Sequence, residues 1–371
     1  MKLEVHLPLT KIIIFVCVTV NSLFIVKYGL RILPLAPLVG VVVLYSSLWV
    51  LLTYGCRNKN VKKLIADKKI NLLLFILILS AIIFLHTYID PYTLRTDRWS
   101  AIDGWGRYLL DGRYPYAAPT HLNGRGSPFP IWQLFHLPFV ILGNVGYGFT
   151  FSLIIFFAVL WKNKEYAFLC GALVLMCISP VFWYEVAVRS DMFYNVLLLA
   201  LVMRYRKCYS PYIIAVLTAL FCCTRLLCII PIAIAYLQWY IKECQWKTRI
   251  LMVLIFAGIV IAVFLPFALW PNNDLLTSDI SPLRLQTRAG GIIQLLFCVF
   301  LVVTASRIAT TNTYYAITAI VIFVFFSFCS VFYYDFIHFD ITYIATSIPF
   351  AIFALSERYQ QSLSSANNNQ K

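Results

Sequence analysis

The sequence predicts an all-α polytopic membrane protein: about twelve transmembrane helices, with surface helices in one large outer loop. Three observations predict it. Of 371 residues, 61% are apolar and only 12% are charged, about half the charge that covers a soluble domain. Apolar runs recur from Thr10 to Leu355, most of them close to the roughly 20 residues that cross a hydrocarbon core about 30 Å thick. The basic residues, finally, are distributed unevenly between the connections. These features exclude a secreted, a disordered or a nucleic-acid-binding protein, despite a net charge of +15. The charge reads instead as the lysine and arginine excess of cytoplasmic loops.

The spans follow in order. An apolar stretch from Lys11 lacks a small-residue cleavage pattern, so 10–28 reads as a retained first span rather than a signal peptide. The others are 33–54, 70–88, 145–160, 166–183, 190–205, 211–223, 226–241, 250–270, 291–306, 313–333 and 340–356. The stretch 129–144 carries Pro130 and Pro138 and reads as re-entrant, interfacial or a thirteenth span. Residues 1–356 are one multi-span domain. The polar, Asn/Gln/Ser-rich segment 357–371 reads as a disordered cytoplasmic tail. Eleven cysteines show no CxxC or Cys/His cluster, which argues against a disulfide framework or a zinc site.

Orientation comes from Arg57–Lys69, with six Lys/Arg in thirteen residues. Placing it inside puts both termini in the cytoplasm and leaves outside, among other connections, 89–128 and 271–290. Thirteen of the fourteen lysines then lie inside, whereas ten of the eleven outer basic residues are arginine. A planar guanidinium grips phosphate or carboxylate through paired hydrogen bonds. The chemistry is expected on the outer face.

Loop 89–128 carries most of it. Asp97, Asp103 and Asp111 lie among Arg95, Arg98, Arg107 and Arg113. Residues 100–110 have helical spacing, with Ile102, Trp105 and Leu109 on one side, as in a helix lying on the membrane surface. Gly112 would end it and Tyr114-Pro115-Tyr116 would turn the chain. A second group, Glu185, Arg189 and Asp191, stands at the outer junction of two spans. Ser190 and Asp191 there suit helix capping as well as substrate contact. Arg225 interrupts an otherwise apolar stretch, either snorkelling to the interface or holding a lipid phosphate. Arg284 and Arg288 lie four apart and can clamp a phosphate together. Tyr333-Tyr334-Asp335 and His338-Phe339-Asp340 close the outer set, where aromatics suit the interfacial belt. His121 and His338 are too isolated to argue for a metal.

The pattern Asp97 … Leu109-Leu110-Asp111-Gly112-Arg113-Tyr114-Pro115-Tyr116 … Ser127-Pro128-Phe129-Pro130-Ile131-Trp132 resembles the GT-C superfamily of integral-membrane glycosyltransferases, most of all its polyprenol-phosphate-mannose-dependent branch. Two spans precede the one that feeds the loop, and the paired Asp-Glu of some relatives is absent. The resemblance implies a donor sugar on a polyprenyl phosphate, a glycan or lipid-linked acceptor, and a catalytic base on the first large outer loop. Asp97 falls in register with Pro115-Tyr116 and is the expected base, with Asp103 second; a salt bridge to Arg95 or Arg98 is the structural alternative for Asp97. Sugar transfer from a lipid phosphate needs a base for the acceptor hydroxyl, and a carboxylate is ionised at neutral pH. Arg95, Arg189, Arg225, Arg284 and Arg288, with Glu185, Asp191 and Tyr116, are the expected donor-binding set. No cofactor is called for. A bacterial inner membrane is inferred from the short loops. Two other classes stay open: a polysaccharide polymerase or ligase centred on 271–290, and a lipid-glycan transporter.

Overall fold

The computed structural model describes residues 7–55, 66–273, 275, 281–286, 291–305, 311–333 and 341–368. The described chain is helical, and its one β feature is an isolated antiparallel bridge between Pro119 and Arg125. The elements are α1 (Leu7–Gly29), α2 (Leu35–Gly55), α3 (Lys68–Tyr88), α4 (Arg98–Leu110), α5 (Pro130–Ile141), α6 (Tyr147–Lys162), α7 (Tyr166–Cys177), α8 (Pro180–Ala187) and α9 (Met192–Arg204). They continue with α10 (Pro211–Cys222), α11 (Ile229–Lys242), α12 (Trp246–Ala268), α13 (Pro282–Gln286), α14 (Gly291–Ala305), α15 (Thr311–Tyr333), α16 (Thr342–Ala345) and α17 (Ser347–Asn368).

Among the described residues, four helices are long and apolar enough to cross a membrane: those at Leu9–Gly29, Lys68–Tyr88, Trp246–Ala268 and Thr313–Val331. The expected span 166–183 is instead a bent pair, α7 and α8, at 72°. Pro180 opens α8 at the position where a missing N–H costs nothing. Ser179 caps that helix by accepting from Phe182 N, and it donates to Asn21 Oδ1 of α1 at 2.7 Å. The stretch 129–144 is α5, twelve residues with Pro138 inside, about 18 Å at 1.5 Å per residue. The pair expected at 211–223 and 226–241 is α10 and α11, separated by Thr224-Arg225 and a 3₁₀ turn over Leu226–Cys228.

Lipid and protein environments separate by helix face. Leu254 and Ile261 of α12 are 62% and 60% exposed, an apolar exterior matched to hydrocarbon rather than to water. At the opposite extreme α17 is buried all round over Ser347–Ser356. It packs against α7, α15, α1 and α9, with Phe350 and Phe353 set among Tyr314, Tyr315, Phe156 and Phe168. A helix apolar on every face is stable at the centre of such a bundle.

The polar segment predicted to be disordered from 357 continues α17 to Asn368. Composition misses this because Glu357 and Gln360 of this segment have partners on other helices. Arg204 of α9 pairs with both Glu357 and Glu165, and Gln360 Oε1 accepts from Phe168 N at 3.2 Å. Arg204→Met would leave two half-buried carboxylates unpaired, with an expected loss of about 3 kcal/mol. The thermal midpoint in detergent, compared with that of the wild type, checks this.

Candidate functional site

The helix predicted within loop 89–128 forms where its spacing places it. α4 runs from Arg98 to Leu110, and Ile102 and Trp105 are buried. Gly112, at φ +69°, ends it, in the left-handed conformation that glycine adopts without strain. Trp105 meets Tyr116 and Phe267 of α12, while Trp99 and Ile102 pack with Val140 of α5. These contacts lay loop 89–128 over the ends of α5, α10 and α12.

Beneath the loop, two helix ends meet. Phe129 N donates to Thr224 O at 3.0 Å and Ile131 N to Cys223 O at 3.2 Å. The first turn of α5 thereby satisfies the last carbonyls of α10, two sets of backbone groups that helices leave unpaired. The geometry forces Arg225 into an extended conformation, φ −154° and ψ 141°, with its side chain buried. Its guanidinium holds both carboxylate oxygens of Asp191: Nε to Oδ2 at 2.9 Å, and Nη2 to Oδ1 at 2.8 Å and to Oδ2 at 2.6 Å. Trp132 Nε1 adds a fourth bond to Oδ2 at 2.8 Å. Burial opposes the charge on Asp191. The charge of Arg225 and the hydrogen bonds to both oxygens offset that burial.

The remaining nitrogen of Arg225, Nη1, donates to Ser127 Oγ at 3.2 Å, and Arg225 and Ser127 both line a cleft of about 180 Å³. Asp97, Arg98, Arg125, Ser127 and Tyr343 share its wall with Arg225. Three arginines thus share the cleft wall with one carboxylate. Gln286 of α13 joins the two sides: its Oε1 accepts from Leu226 N at 2.7 Å and its amide donates to Ser127 O. Among the described residues no group of three or more His, Cys, Asp or Glu is placed to hold a metal.

Comparison with family models, with curated proteins and with solved structures finds no match to this chain.

The structure brings together Asp97 and Arg225 at the cleft and sets Asp191 behind them. It places other expected site residues elsewhere. Asp103 is paired with Arg107 one turn on, Nε to Oδ2 at 2.7 Å, rather than lining the cleft. Arg189, with φ 51°, donates to His86 O at 2.7 Å and Ile89 O at 3.1 Å, neutralising the carbonyl end of α3 instead of facing a substrate. Tyr116 is a core residue whose hydroxyl donates to Pro128 O at 3.2 Å. Asp191 does not cap α9 through its side chain, because Arg225 and Trp132 occupy both oxygens. Glu185 is buried in α8, accepting from Phe193 N at 3.1 Å. Arg95 and Arg284 are exposed. Arg288, Arg307 and the segment 334–340, including Asp335 and His338, lie outside the described residues, as do Arg57 and the lysines up to Lys63.

Sequence reasoning missed Arg125, Trp132, Gln286 and Tyr343. It noted Arg98 only as an ion-pair partner for Asp97. Of the loop arginines, only Arg98 carried a positional signal, one helical turn from Ala101 and Ile102 on the inward face.

Proposed function

We propose that this chain is a multi-pass glycosyltransferase of a bacterial inner membrane, with about twelve spans and both termini cytoplasmic. In this reading it moves a sugar from a polyprenyl-phosphate donor to a glycan or lipid-linked acceptor on the outer face, as its resemblance to the GT-C superfamily implies. The observation that carries the reading is the cleft, where one carboxylate, Asp97, stands among Arg98, Arg125 and Arg225.

The chemistry follows from that arrangement. Asp97 takes the proton of the acceptor hydroxyl as its oxygen attacks the anomeric carbon. The bond from that carbon to the phosphate oxygen breaks, the configuration inverts, and the phosphate leaves with the electron pair. Negative charge then grows on the phosphate, where fixed guanidiniums stabilise it without reorganisation. Asp191 offsets Arg225, so the cleft carries a small positive excess suited to the single charge of a sugar phosphodiester. A lipid diphosphate carries more negative charge. One observation favours a second reading, a polymerase or ligase using lipid-diphosphate glycans: Leu285, from the later loop 271–290, also lines the cleft.

The test is donor turnover in proteoliposomes. Polyprenyl-phosphate and polyprenyl-diphosphate sugars would be offered separately with an envelope glycan acceptor. Release of polyprenyl monophosphate from the first donor is the expected result. Release of diphosphate from the second would replace it with the second reading, and transbilayer movement of intact donor would overturn both in favour of transport.

A further inference from the structure

Asp97 stands at the N-cap position of α4, where an aspartate ordinarily accepts from the helix's own first-turn amides. Its carboxylate makes no such bond. It accepts instead from the hydroxyl of Thr120, Oγ1 to Oδ2 at 2.9 Å, from a residue 23 positions away. We propose that Thr120 is a positioning residue that sets the orientation of the Asp97 carboxylate in the cleft; its catalytic consequence rests on the reading of Asp97 as base.

The direction of that hydrogen bond is determined by the turn that holds Thr120. A hydroxyl has one proton to give. Gly124 N donates to Thr120 Oγ1 at 2.8 Å, so the hydroxyl is already an acceptor on that side and its proton goes to the carboxylate. The turn is closed by Thr120 N to Gly124 O at 3.0 Å and Asn123 N to Thr120 O at 2.9 Å, with Asn123 at φ 60°. Thr120 is buried, shielding this contact from competing water.

A second contact locks the turn to the helix. His121 N donates to Ser100 Oγ at 3.2 Å, and the His121 ring lies 2.7 Å from Ser100 Oγ through Nδ1 and 3.0 Å from Leu94 O through Nε2. The turn therefore moves with the start of α4. Space is tight on the same side: a Cβ placed on Gly124 would lie 2.6 Å from Asp97 Oδ2. Glycine at 124 is what allows the turn to close on the carboxylate. With Oδ2 taken by Thr120, Oδ1 is the oxygen left for an acceptor's proton, and the carboxylate is spared a rotational search.

The test pairs Thr120→Val, which keeps the shape and loses the hydroxyl, with Thr120→Ser, which keeps the hydroxyl. Isotope-edited infrared spectra of aspartate-labelled protein, with Asp97→Asn to identify the band, report the carboxylate's hydrogen bonding without any turnover. Val is expected to change the splitting of the Asp97 carboxylate bands and Ser to retain it. In proteoliposomes Val is expected to lower kcat by about 10- to 100-fold, the range of one hydrogen bond to an ionised group, with donor KM unchanged and Ser close to wild type. Thermal midpoints monitor folding of each variant. Unchanged Asp97 bands in Val, or changed bands with wild-type kcat, would overturn the proposal. Turnover that survives Asp97→Asn would instead remove Asp97 as base, while the infrared comparison still decides whether Thr120 holds it.

Discussion

Asp191→Ala is expected to cost about 3–5 kcal/mol of stability, because it leaves the Arg225 guanidinium buried without its counter-charge. The pair is 3% and 0% exposed on its two side chains, so water does not compensate. Arg225→Met should cost a similar amount for the mirror-image reason, an unpaired buried carboxylate. The double change, Asp191→Leu with Arg225→Met, removes both desolvation penalties and is expected to recover most of the loss. Thermal or denaturant unfolding in detergent measures all three, and a double variant as unstable as the sum of the singles would contradict the account. On the proposed function the rescued double variant still lacks a cleft guanidinium, so it should fold and bind donor poorly.

Asp97→Asn is expected to lower kcat for sugar transfer by about 10²–10⁴-fold, the range for loss of a positioned general base. Asparagine keeps the shape and can still accept from Thr120, so folding should be preserved. It also removes the one carboxylate among three guanidiniums lining the cleft, so anion binding should tighten as the rate falls. Initial rates in proteoliposomes across a range of donor concentrations separate the two effects. A kcat within a few-fold of wild type would end the role of Asp97 as base.

Part of this site was legible in the sequence. Arg225 stands out because a charge in an apolar stretch is costly and needs a partner or a role. Asp97 stands out through its register with Pro115-Tyr116. The partner of Arg225 was not legible, since Asp191 lies 34 residues earlier and its position after Ser190 reads equally as a helix cap. Arg189, two residues before Asp191, looked like the better phosphate ligand. The turn at positive φ swings it toward the end of α3 while Asp191 faces inward. Arg95, Arg107, Arg113 and Arg125 are alike as letters, and only packing sends Arg125 to the cleft.

The sequence by itself determined the helical class, the apolar character of most helices, the helix after Asp97 and its end at Gly112. Those properties depend on spacing along one chain: helical period, run length and local turn chemistry. The tertiary structure alone decided the 72° break between α7 and α8, the pairing of Arg225 with Asp191, the clasp of Thr120 on Asp97, and the helical course of residues 357–368. Each of these depends on a polar group finding its partner from a distant segment. A buried hydrogen bond or ion pair is determined by three-dimensional proximity, which hydrophobic periodicity does not encode.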